Sequence, residues 1–188
     1  MKRYLIAALL AVTLASAQEN RQEQTATVEH SGGIQTGLLG IWGYHEFPLS
    51  NSIALRAEAG FNVGVVVQWG GDDEDIYGLI PHLRLEPRWY YNLPKRVAKG
   101  YRTDGNSGNF LALNTTFVPD IFIGSSPEGL HVLEEWIIVP KWGIRRNLGN
   151  RFNYEAGIGI GYAKYRQEYL GDKGSVYPDL HLRLGYRF

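Results

Sequence analysis

From Ser52 to Trp69 the sequence alternates without a break. Ile53, Leu55, Ala57, Ala59, Phe61, Val63, Val65, Val67 and Trp69 fall on one side; Arg56, Glu58, Gly60, Asn62, Gly64 and Gln68 are among those on the other. Period two puts successive side chains on opposite faces of a β-strand. The run is about three times the length of an ordinary globular strand of about five or six residues. Residues 77–91 continue the pattern, with Tyr77, Leu79, Pro81, Leu83, Leu85, Pro87, Trp89 and Tyr91 set against Gly78, Ile80, His82, Arg84, Glu86, Arg88 and Tyr90. A chain that spends its length this way is committed to an antiparallel sheet with one apolar and one charged face.

Seven such strands are expected, at about 34–47, 52–69, 76–93, 109–123, 131–148, 152–167 and 176–188. Turn-forming residues separate them at Pro48–Asn51, Gly70–Asp75, Gly124–Gly129, Leu148–Asn150 and Gly171–Gly174. The longer connection Pro94–Asn109 has room for a helical turn. No linker, repeat or low-complexity tract divides the chain.

The first residues read differently. Lys2 and Arg3 precede an apolar run from Leu5 to Leu14, followed by Ala15-Ser16-Ala17. This is the pattern of a secretory signal peptide over residues 1–17, leaving 18–188 as the folded domain. The run is too short for the roughly 20 residues of a spanning helix. Removing Lys2 and Arg3 takes the formal net charge from 0 to −2, which gives no reason to expect nucleic acid as a partner. The chain has no cysteine, so neither a disulfide framework nor a thiolate site is available.

A soluble sandwich and a membrane barrel both alternate. Strand length favours the barrel, because a bilayer is crossed by about 9–11 tilted residues. So does the polar face, where Arg56, Glu58, His82, Arg84, Glu86, Arg88, Lys141, Arg145, Glu155, Asp179, His181 and Arg183 interleave with glycines, as a filled, charge-paired lumen requires. With the last strand running down, Trp42, Tyr44, Trp89, Tyr91, Trp142, Tyr154 and Tyr186 gather at one rim as an aromatic girdle. Trp69, Tyr77, Phe117, Tyr162 and Tyr177 gather toward the other. A single-chain barrel of this kind has an even strand count, so an eighth strand is expected from the weak alternation of Gln24–Ser31. The fold class expected is all-β, an antiparallel up-and-down transmembrane barrel of eight strands.

The segments "GIQTGLLGIWGYHEFPLSNSIALRAEAG", "LEPRWYYNLPKRVAKG", "GNSGNFLALN", "WGIRRNLGNRFNYEAGIGIGY" and "LHLRLGYRF" resemble small outer-membrane β-barrel proteins of the porin-like class, over essentially the whole mature chain. The resemblance implies the outer membrane of a Gram-negative bacterium, contact with its lipid, and Phe188 as the signal read by the barrel-assembly machinery. It carries over no catalytic residue.

Chemistry beyond this is thin. His30, His45, His82, His131 and His181 lack the spacing of a zinc site, and His82 and His181 are expected beside Glu86 and Asp179. Asp72, Asp73, Glu74 and Asp75 form an acidic loop without a calcium-loop pattern. Ser125, Ser126, His131 and Glu134 are the nearest approach to a hydrolase set, without a nucleophile motif. No cofactor or metal is expected. The reading is a barrel with a self-filled lumen in a structural or surface-interaction role, its surface ligand unknown. The alternatives are a narrow pore for small solutes and, further off, a lipid-modifying enzyme.

Overall fold

The computed structural model describes residues 26–66, 76–124, 132–166 and 173–188. Nine strands follow in order: β1 (Ser31–Gly37), β2 (Gly40–Pro48), β3 (Ile53–Val66), β4 (Ile76–Trp89), β5 (Asn109–Val118), β6 (Ile123–Gly124), β7 (Glu135–Leu148), β8 (Phe152–Tyr165) and β9 (Lys173–Arg187). The two-residue β6 only extends the edge of β4 beyond β5. The other eight pair antiparallel, each with the next, and β1 closes on β9 through Gly33↔Arg187 to Gly37↔Arg183. The result is an eight-stranded up-and-down barrel, which removes every sheet edge where the closure is complete.

The alternation sets inside and outside. On β9, Leu180, Leu182 and Leu184 are exposed while Arg183 and Gly185 are buried. On β3, Ala54, Arg56 and Glu58 are buried against outward Ile53, Phe61 and Val63. The barrel is therefore the inverse of a soluble domain, with charge within and aliphatic side chains without.

The count of eight is reached differently from the sequence reading. Residues 26–30 form no strand; instead the expected strand 34–47 is two strands, folded back at Leu38-Leu39 between Gly37 and Gly40. Two leucines carry no turn signal, and the glycines on either side are the only local mark of the reversal. The phase of β2 also differs. Trp42 and Tyr44, expected in the lower girdle, are 7% and 6% exposed and face the lumen, because Glu46 two residues on must join the charges inside.

Prolines mark breaks in the ladder. Pairing of β4 with β5 skips Glu86 and Pro87, and pairing of β7 with β8 skips Val139 and Pro140, although the ladders on their other sides run through. A proline has no N–H to give, so the unpaired side is where it is tolerated.

One end of the barrel, the lower rim here, is capped. Between β4 and β5 the short helix α1 (Leu93–Ala98) buries Leu93, and a 3-10 turn follows at Asp104–Asn106. Gly105 and Asn106 both take positive φ, 60° and 61°, which turns the Gly105 N–H onto the Glu29 carboxylate. Asn106 then binds the Glu29 backbone on both sides, accepting from its N–H and donating to its carbonyl at 2.9 Å each. Val28, Ala54, Tyr90, Leu93 and Phe110 pack above as an apolar plug.

Candidate functional site

Because inward positions recur every second residue, six of the eight strands bring charged side chains into the lumen. An eight-stranded barrel is just wide enough to be filled this way. All twelve lumen residues expected from the sequence lie on the inner face, nine of them buried and Arg84, Asp179 and His181 partly so.

The lower layer centres on Glu155 and Glu46. Glu155 receives two parallel hydrogen bonds from Arg88, at 2.7 and 2.8 Å, and an ion pair from Arg145 at 3.0 Å. Glu46 holds Arg145 at 3.0 Å and Arg88 at 3.1 Å, and accepts from the Tyr90 hydroxyl at 3.0 Å and the Asn106 amide at 2.7 Å. Glu86 bridges Arg88 and Lys141, each at 2.6 Å. The fork geometry of arginine suits paired carboxylate contacts of this kind.

In the upper layer one carboxylate serves three guanidiniums. Glu58 accepts from Arg56 at 2.6 Å, Arg84 at 2.6 Å and Arg183 at 2.7 Å. Arg84 also donates to Thr116 at 2.8 Å, and Thr116 to Asn114 at 2.7 Å. His181 meets Asp179 at 2.9 Å, whereas His82 stands 3.6 Å from Glu58 rather than beside Glu86 as expected. The two misassigned aromatics are part of this layer: Arg56 lies over the Tyr44 ring at 4.0 Å and Arg183 over Trp42 at 4.4 Å. A guanidinium over a π-face keeps its charge partly compensated where water is scarce.

Above Arg84 and Arg183 the lumen opens into a cavity of about 380 Å³. The remaining girdle residues stand outside at the lower rim. Trp89 packs on Tyr91 at 5.9 Å, the Trp142 indole donates to the Tyr91 hydroxyl at 2.8 Å, and Tyr186 packs between Phe152 and Phe188. Tyr154 also faces outward. At the upper rim Phe117 and Trp136 are in contact at 4.8 Å, while Tyr177 turns toward the cavity. Trp69, the side chain of Tyr77, the acidic residues 72–75 and Ser125, Ser126 and His131 lie outside the described residues; so do residues 1–17.

Glu46, Tyr90, Asn106, Asn114 and Thr116, with Gln35 and Asn153, also line the lumen and were not singled out as lumen residues by sequence. Glu46 shares its face with two aromatics, which disguised it. Asn106 arrives from a loop, where period two says nothing. Among the described residues no three histidine or carboxylate groups are placed to hold a metal ion. No family model matches the chain, and comparison with curated proteins and with solved structures finds no match.

Proposed function

We propose that this chain is an integral protein of a bacterial outer membrane whose lumen is an ion-paired core, with a structural or surface-interaction role rather than solute passage or catalysis. The observation that carries the reading is the inversion: a closed barrel with aliphatic side chains outward and six buried or half-buried Arg and Lys side chains tied to five carboxylates within. In water that exterior would be a large apolar patch; in lipid it is the solvent-matched surface. The 14-residue strands β3, β4, β7 and β8, at about 3.3 Å per residue and a tilt near 40°, rise about 35 Å, enough for a hydrocarbon core of about 30 Å. The plug and the two charged layers fill the described lumen below the cavity with buried side chains.

The test is fractionation followed by planar-bilayer recording on the refolded barrel. Recovery with the outer membrane, a mobility difference between unheated and boiled samples on gels, and silent bilayers are expected. Soluble periplasmic recovery without that difference overturns the membrane reading. Large, steady conductance replaces it with the narrow pore, and an altered lipid A mass profile on deletion replaces it with an enzyme.

A further inference from the structure

Among the described residues the barrel wall is shorter on one side. β1 pairs with β9 only as far as Gly37↔Arg183, and β2 with β3 only as far as Gly40↔Asn62, with one further bond from Val63 N–H to the Leu39 carbonyl at 2.8 Å. Beyond the Leu38-Leu39 tip, residues 173–182 of β9 and 64–66 of β3 have no strand between them among the described residues. Among the described residues two strand positions are unfilled there, which sets β9 and β3 about three strand spacings apart, roughly 14 Å between backbones. With seven residues in β1, the hairpin rises only about 18 Å at the same tilt, short of an apolar band about 25 Å tall.

Three independent details fit an opening that faces lipid. The reversal is built from leucines, 93% and 62% exposed, where a turn in water would carry polar residues. Second, the edge of β9 is adapted. Phe188 N–H bonds the Gly32 carbonyl on β1 while Arg187 N–H bonds Arg151 on the β8 side, so even-numbered residues of β9 direct their backbone groups toward the gap. Pro178 is one of them, and its missing N–H removes a donor that would stand unpaired there. Third, the 380 Å³ cavity is lined both by residues at the gap, Leu38, Leu39, Val63 and Leu180, and by the charged side chains of Arg84, Asp179 and Arg183. Arg183 is 5% exposed and its Nε–H has no hydrogen-bond acceptor.

We propose that this gap is a lateral portal for an amphiphile with one anionic head group and an acyl chain. The chain lies between the leucines in the plane of the bilayer, and the head reaches Arg84 and Arg183. The cavity lining sets Arg84 and Arg183 against the single carboxylate of Asp179, and an incoming anion supplies the acceptor that Arg183 Nε–H lacks. The polar head also meets the backbone edge of β9 above Arg183, which has no strand partner among the described residues and which bare hydrocarbon cannot satisfy. The proposal rests on the membrane reading above.

Refolded barrel in a non-ionic detergent, checked for folding by its heat-dependent gel mobility, is titrated with dodecanoate, dodecyl phosphate and dodecyltrimethylammonium and read by native mass spectrometry. One bound molecule of an anionic amphiphile per barrel is expected, with the cation retained at least tenfold more weakly. Tighter retention of dodecanoate assigns a fatty-acid head, and of dodecyl phosphate a phosphate-headed lipid. Arg183→Gln weakens binding roughly tenfold or more, the loss of a charge-assisted hydrogen bond, whereas Arg102→Gln at the exposed lower rim leaves it unchanged. If Arg183→Gln fails to fold, Leu180→Trp, which fills the mouth from outside without touching the ion pairs, carries the same expectation. Equal retention of anion and cation, or no stoichiometric binding by a barrel that shows the gel shift, overturns the portal while leaving the membrane reading intact. Absence of the gel shift and of membrane recovery in the parent overturns the membrane reading instead.

Discussion

Glu155 concentrates the cost of building charge into the lumen. Its two oxygens hold Arg88 bidentately and Arg145 besides, with all three side chains buried. Removing one member of such a group leaves the others desolvated and unpaired, typically a loss of about 3–5 kcal/mol. Glu155→Gln keeps the shape and removes the charge; the temperature at which the compact gel band disappears is expected to fall clearly. An unchanged transition would mean that water reaches this layer. Asp104 offers a milder test at the lower rim, where hydrogen bonds from Arg102 and Arg187 hold its carboxyl down to about 2, from an ordinary value of 3.8. A depressed carboxylate stabilises the fold above its unfolded value and ceases to do so as pH falls through the folded one. Between about pH 4 and pH 2 the heat resistance of the parent is therefore expected to decline more steeply than that of Asp104→Asn, measured across a pH series.

The strands were legible wherever charge and aliphatic residues alternated, as in β3, β4, β8 and β9, because period two and side-chain polarity report the same geometry twice. They were illegible where polarity stopped distinguishing the faces. In β2 the inward set is Trp42, Tyr44 and Glu46 and the outward set includes Ile41, Gly43 and Phe47; both look apolar until one sees guanidiniums over the inward rings. The hairpin tip was hidden for a related reason, since Leu38 and Leu39 are none of the Gly, Pro, Asn, Asp or Ser residues that mark a turn. The twelve expected lumen residues lie on the inner face and His181 meets Asp179 as expected, but Glu46 was missed and His82 reaches across to Glu58 on β3 rather than to Glu86, a relation set by stagger between strands. The same lipid-facing logic gives a test at mid-strand. Ile158, 59% exposed on β8 and opposite Leu180, would be harmless to replace if water covered it. In a bilayer Ile158→Arg is expected to cost about 2–4 kcal/mol, seen as reduced folding yield into vesicles.

At the scale of the whole molecule, seven of the eight barrel pairings join strands that follow one another along the chain, with β6 set aside; only β1–β9 joins distant residues, such as Gly33 and Arg187. Local hairpins close cheap loops, while the final seam closes most of the chain. The ladder is tight there: a Cβ on Gly33 would stand 2.2 Å from the Tyr186 carbonyl oxygen. Gly33→Val is therefore expected to slow the appearance of the heat-resistant band while the β-signal in circular dichroism develops at the parental rate; identical kinetics for both would place the slow step elsewhere. The kinetic consequence of one seam is a clock with a single late tick. A seam that closes last leaves, until it closes, an open curved sheet whose charged face is still wet and whose two free edges, β1 and β9, can pair with any strand presented to them. Any partner that acts before closure has one interval, and one pair of edges, to guard.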